Sequence, residues 1–183
     1  MNSANEQFES ILDENEKGDL INPCLPIGYS RESIVRQDKK MVGASDFYSC
    51  QKTILTMFNK TCTHSSCAFN DVFQPPLTGN FVARGSNVES TCKFLELDFE
   101  KTSPNLFLSH ALSLCSLNLE QYEDQYNSLP QNFCFQSIYI ASIWNYGFGF
   151  GIDQLVPVKE KINGVFFFHF FILFFLIFKI FYL

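Results

Sequence analysis

Apolar positions and cap signals mark four helical stretches of the chain, and that rhythm is lost between them. Phe47, Cys50, Ile54, Met57 and Phe58 fall on one side of a helix that Asp46 can cap. Ser103 followed by Pro104 is an N-cap with a proline in the first turn, which opens a second helix running through Cys115. Ser128 and Gln131 make a capping-box pattern with Pro130 tolerated in the first turn. The helix beyond it carries Phe135, Ile138, Tyr139, Ser142 and Ile143 on one side and stops at Gly147. A short acidic helix fits Glu6 to Lys17, with Phe8, Ile11 and Leu12 sharing a side.

The stretches between are punctuated rather than periodic. Pro23, Pro26 and Gly28 make Ile21 to Tyr29 a loop, and Pro75, Pro76 and Gly79 do the same for Val72 to Phe81. Ser30 to Ser45 is polar and basic without interleaved aromatics, the pattern of a solvated surface. Glu96, Asp98 and Glu100 alternate with Leu95, Leu97 and Phe99, so that three carboxylates can face one side. Such a cluster can hold Mg²⁺ or be a solvated charged face. From Val165 to Leu183 the chain is almost wholly apolar, with phenylalanine at nearly every other position. As a helix this run is about 28 Å long, enough to span a bilayer. Small residues that pack helices in lipid are absent after Val165, and translation of a thymine-rich intron is the other source of such a run. No internal repeat or Ser/Gly linker divides the body.

At 183 residues the chain can bury one sizeable core. A net charge of −6 leaves no basic face for nucleic acid. Seven cysteines are many for a cytosolic domain and point to disulfides plus one unpaired thiol in an oxidising compartment. Asn59-Lys60-Thr61 is a glycosylation sequon of the same compartment. Residues 1–20 disagree: they are polar and acidic and lack the basic start and apolar run of a signal peptide. One explanation is that Met1 is not the start of the functional protein. Cys62-Thr63-His64-Ser65-Ser66-Cys67 reads as a locally closed disulfide loop or as a zinc half-site using His64, and no second Cys/His pair completes four zinc ligands.

Four blocks carry a family resemblance. They are N-P-C-L-P-I-G-Y from Asn22, Y-S-C-Q-K-T-I-L-T-M-F-N-K-T-C from Tyr48, S-S-C-A-F-N-D-V-F-Q-P-P-L-T-G-N-F from Ser65, and C-F-Q-S-I-Y-I-A-S-I-W-N-Y-G-F-G-F from Cys134. In this order they resemble the second half of the cell-surface nucleoside triphosphate diphosphohydrolases, the apyrases. The resemblance implies an α/β fold: part of the second lobe of an actin/RNase-H-like two-domain enzyme, mainly helical in this stretch, with the hydrophobic tail as a C-terminal helix. It divides the chain into an acidic segment 1–19, a partial lobe 20–164 and the tail 165–183. It also implies three disulfides, Cys24 with Cys50, Cys62 with Cys67 and Cys115 with Cys134, which leaves Cys92 as the odd thiol.

By the same resemblance the parent enzymes remove terminal phosphates from extracellular nucleoside tri- and diphosphates with Ca²⁺ or Mg²⁺. Their phosphate-holding loops are of the D-x-G-x-S kind, and no such loop occurs in these residues; Gly43-Ala44-Ser45 and Gly85-Ser86 lack the leading aspartate. No catalytic residue is therefore assigned, no cation is expected on this chain alone, and His64, His110 and His169 read as surface or core residues. The family's aromatic-rich helix after G-N-F is replaced by Arg84 to Cys92, which contains no aromatic residue, so a base-stacking face is not expected. The expected activity is that of a nucleotidase part inactive by itself. The alternatives are a disulfide-stapled binding or decoy module and a membrane-tethered product of mis-splicing. The resemblance implies the cell surface or a secretory membrane, with the membrane reached through residues 165–183. If that tail is a true anchor, Lys159 and Lys161 favour a cytoplasmic body.

Overall fold

The computed structural model describes residues 2–59, 61–127 and 132–159. The Ser128–Gln131 capping box, the apolar run from Val165 and His169 lie outside the described residues. Within them are six α-helices and a small three-stranded sheet, a mixed α/β arrangement.

Helix α1 (Asn2–Ser10) ends well before Lys17. A tight turn takes over, in which Gly18 has a left-handed backbone and the Asn15 carbonyl accepts from its amide at 2.9 Å. Phe8 and Leu12 still reach the core, whereas Ile11 faces solvent. The sheet is built where the sequence predicts loop and solvated surface. Strand β1 (Leu20–Asn22) runs parallel to β3 (Lys40–Gly43), and β2 (Ser30–Glu32) pairs antiparallel with β3 on its other edge. The strands are three to four residues long, too short to show an alternating pattern, and Leu20 and Met41 supply their completely buried pair.

Two features hold this end together. Glu9 is buried, and its carboxylate pairs with Arg31 and accepts from the Ser33 hydroxyl at 2.9 Å and the Ile34 amide at 3.0 Å. A buried charge that is paired and hydrogen-bonded in this way is tolerable; an unpaired one is not. At Gly43 a β-carbon would fall 1.9 Å from the Pro26 carbonyl oxygen, so only glycine lets the 23–29 loop cross the strand there.

Helix α2 (Phe47–Thr56) starts where its cap predicts: the Asp46 carboxylate accepts from the Ser49 amide at 3.0 Å and the Ser49 hydroxyl at 2.6 Å. Helix α3 (Ser86–Phe94) is followed by a 3₁₀ turn, Phe99–Lys101. Helix α4 (Pro104–Leu114) has the Ser103 cap and first-turn proline read from the sequence. Helix α5 (Leu119–Tyr126) is begun by a capping box between Asn118 and Gln121. Helix α6 (Phe133–Ser142) continues into a wider π turn, Ile143–Gly147.

Helix α6 is buried on nearly all sides rather than on one face, because α4, α2 and α3 pack around it. Ile54, Phe107, Ala111 and Ile138 meet with no exposed surface, each large side chain contributing roughly 1.5–3 kcal/mol by burial. Stacked rings close the far side: Phe94 lies 3.8 Å from Phe133 and 4.5 Å from Tyr126, centroid to centroid. The last described residues strap this bundle. Val156 donates to the Thr102 carbonyl at 2.9 Å, Val158 to the Phe99 carbonyl at 2.7 Å, and Lys159 to the Ala83 carbonyl at 2.9 Å. Among the described residues, no helix is long and apolar enough to cross a membrane.

Candidate functional site

The block from Cys62 to Phe81 forms a loop tied to itself and then to the end of α6. Asn70 and Asp71 both take left-handed backbone conformations, which Asn and Asp tolerate better than most residues. That reversal turns the Asp71 carboxylate onto Thr63, where it accepts from the amide at 2.6 Å and the hydroxyl at 2.7 Å. These bonds, led by the backbone one, hold the Asp71 carboxyl below its ordinary range. Asn70 also bonds back to Asn59, donating from its amide to the Asn59 carbonyl at 2.7 Å. The Asn70–Asp71 clamp is not read from the sequence above; the Asn-Asp dipeptide between Phe69 and Val72 is the signal for it.

The tied loop docks on the Tyr146–Phe150 segment through three contacts. Gln74 donates from Nε2 to the Phe148 carbonyl at 3.1 Å. Phe81 packs its ring 4.9 Å from that of Phe150. Phe69 lies against the end of the π turn, where a β-carbon on Gly147 would fall 2.5 Å from its ring, so glycine is required for this approach. Between loop and segment opens a cleft of about 300 Å³, lined in part by Pro75, Leu77, Phe148 and Gln154. Two blocks of the resemblance, far apart in sequence, are thus brought face to face.

The six cysteines expected to pair form Cys24–Cys50, Cys62–Cys67 and Cys115–Cys134, and Cys92 is a buried free thiol. Burial pushes the Cys92 thiol up to about 12, with the nearby Glu89 charge adding to it. His64 is not gathered with the cysteines into a zinc site; its ring stands edge-on to Phe73 at 5.9 Å. Asn59 is exposed, and its side-chain oxygen accepts from the Thr61 amide at 2.9 Å.

Glu96, Asp98 and Glu100 are all exposed, so of the two readings the structure fits the solvated charged face rather than a Mg²⁺ cluster. The stretch is no strand: Glu96 is left-handed, and Asp98 caps the 3₁₀ turn by accepting from the Glu100 amide at 3.0 Å. Asp98 pairs with Lys101 at 3.4 Å and Glu100 with Lys159. The groups of ligand-type atoms that do converge among the described residues are Cys24, Cys50 and Cys134, and Cys62, Cys67 and Asp71. Every sulfur in them is spent in a disulfide, which leaves one carboxylate. Ca²⁺ and Mg²⁺ take six or more oxygen ligands, so these residues do not fit the divalent cation that the resemblance implies.

Residues 1–165 match the GDA1/CD39 (nucleoside phosphatase) family, and the chain belongs to it. It is 30% identical over 154 residues to ectonucleoside triphosphate diphosphohydrolase 1 of Mus musculus, covering 69% of this chain and 29% of that protein. To probable apyrase 4 of Arabidopsis thaliana it is 23% identical over 166 residues, covering 80% of this chain and 33% of that protein. To ectonucleoside triphosphate diphosphohydrolase 2 of Homo sapiens it is 28% identical over 119 residues, covering 59% of this chain and 23% of that protein. The chain therefore spans about a third or less of the length of these relatives.

Proposed function

We infer that this chain is part of the second lobe of a two-lobed, actin/RNase-H-like nucleotidase whose whole form removes terminal phosphates from extracellular nucleoside tri- and diphosphates. On this reading the 183 residues hydrolyse no nucleotide by themselves. The observation that carries the reading is the docking of the Cys62–Phe81 block on Tyr146–Phe150, within a chain whose family membership covers residues 1–165. The donor sets support the inactive half of the proposal. No D-x-G-x-S loop is present, and Asp71, Asp98 and Glu100 are engaged with a turn and with lysines rather than converging on one point. Phosphoryl transfer rests on positioning and charge neutralisation, which these residues do not supply. Base recognition is weak for the same reason: α3 has no aromatic residue before Phe94, and that ring is turned inward onto Phe133 and Tyr126.

The three disulfides and the exposed Asn59 sequon support folding in an oxidising, glycosylating compartment and the extracellular side of a membrane as the site of action. The test is phosphate release from ATP and ADP by the purified chain with Ca²⁺ or Mg²⁺. No release above background is expected. Turnover in the usual enzyme range of roughly 1–1000 s⁻¹ would overturn the proposal.

A further inference from the structure

Two of the three disulfides touch each other. Cys24–Cys50 ties the loop after β1 to α2, and Cys115–Cys134 ties the end of α4 to the start of α6. The Sγ atoms of Cys50 and Cys134 lie 3.8 Å apart, and Cys24 Sγ is within 4.8 Å of both. Neither Cys50 nor Cys134 carries a thiol proton, so this is a van der Waals contact between two bridges rather than a hydrogen bond. All four cysteines are 4% exposed or less. Helices α2 and α6 are already packed together around this contact.

We propose that these four cysteines form one exchange unit, in which a single two-electron reduction leaves a Cys50–Cys134 bridge and frees Cys24 and Cys115. A disulfide is opened by a thiolate attacking one of its sulfurs, and the partner sulfur leaves. A dithiol reductant that breaks Cys24–Cys50 is oxidised to its own disulfide and leaves thiols on Cys24 and Cys50. Cys50, as thiolate, then attacks Cys134 Sγ. The Cys50–Cys134 bond forms, the Cys115–Cys134 bond breaks, and Cys115 leaves as a thiolate that takes up the proton Cys50 released. If the reductant opens Cys115–Cys134 first, the Cys134 thiolate attacks Cys50 Sγ and Cys24 leaves. Both routes reach the same product.

Geometry selects that product. The attacking sulfur starts in contact and closes from 3.8 Å to the covalent distance of about 2.05 Å within two packed helices. A second reductant molecule must arrive from solvent, and an intramolecular attack that starts from contact outruns that bimolecular step. The device keeps α2 locked to α6 while releasing the Pro23–Tyr29 loop and the end of α4. In an oxidising compartment both bridges stand; in a reducing one the unit drops to a single bridge without opening the core.

The experiment is partial reduction of the full chain with dithiothreitol, acid quench, alkylation and non-reducing peptide mapping. Once the exposed Cys62–Cys67 bridge has opened, the main product is expected to link Cys50 to Cys134 with Cys24 and Cys115 alkylated. Alkylation of Cys24 and Cys50 with Cys115–Cys134 intact, the converse, or simultaneous alkylation of all four would overturn the proposal. In guanidinium chloride the Cys50–Cys134 link should fall at least about tenfold, because the sulfur contact belongs to the fold. An undiminished link there would also overturn it.

Discussion

The helical core and the 59–85 loop use the same covalent chemistry on opposite foundations. In the core, Cys50, Ile54, Phe107 and Ile138 have no exposed surface, and two touching disulfides lie among them. In the loop, none of the described residues between 59 and 85 is buried, and Cys62–Cys67 closes only five positions of sequence. The core bridges add to packing that already fixes the helices. The loop bridge substitutes for packing, together with the Asp71 clamp and the Asn59–Asn70 bonds. The third block of the resemblance therefore has no buried residue among those described, as is common for recognition loops carried on a rigid scaffold.

The largest contrast is chemical. Cys92, buried and pushed up to about 12, should have a thiolate population near pH 8 about a thousandfold below that of an ordinary cysteine. Iodoacetamide labelling should be correspondingly slow in the folded chain and fast in denaturant, with no reductant added. Fast labelling of the folded chain would place Cys92 outside the core. Next comes packing: Ile138→Ala should cost about 2–5 kcal/mol in denaturant unfolding, since Ile138 has no exposed surface on a helix enclosed on nearly all sides.

Removing a core bridge is the next step down. Cys115→Ala with Cys134→Ala removes a bridge across a sequence separation of 19 and should cost about 3 kcal/mol. Cys62→Ala with Cys67→Ala should leave global unfolding nearly unchanged while amide exchange speeds up from Thr63 to Asp71. Equal global losses from the two pairs would erase the distinction between core and loop. Helix capping follows. Asp46→Ala should cost about 1 kcal/mol, and Asp46→Asn much less. The Ser49 hydroxyl, with the Ser49 amide, holds the Asp46 carboxyl below its ordinary range, so the charged form is favoured on folding. That contribution is complete above the unfolded carboxylate value of about 3.9 and is lost as pH falls through the lower folded value. The smallest effect belongs to the loop: Phe73→Ala, at a side chain more than half exposed, should stay within about 0.5 kcal/mol.

What could be read from the sequence divides along the same line. Helices α2 and α4 were legible because their start signals are local: Asp46 reaches Ser49 and Ser103 reaches Leu106, three residues on. Helix α5 carried an equally local box at Asn118 and Gln121, which was missed. The sheet was illegible for a different reason. Its strands exist because Met41 and Leu20 find each other across 21 residues of sequence, and no short-range pattern encodes that. The run Leu95 to Glu100 was legible as a solvated charged face, although a left-handed turn at Glu96, which no local pattern announces, is what presents it. In the candidate site the cysteine pairs came from family resemblance, while Gln74 on Phe148 and Asp71 on Thr63 are tertiary contacts that only coordinates reveal.

The strap at Val156–Lys159 has a consequence for how the chain is made. Synthesis is vectorial, so Ala83, Phe99 and Thr102 emerge from the ribosome long before the residues that bond to them. At roughly 5–20 residues per second, the carbonyl of Ala83 waits several seconds for the amide of Lys159. During that interval α3, α4 and the 3₁₀ turn can be held only by contacts already synthesised, with the backbone groups meant for the strap still in water. The order of translation thus makes four late residues the closing event for a bundle whose other parts are already in hand.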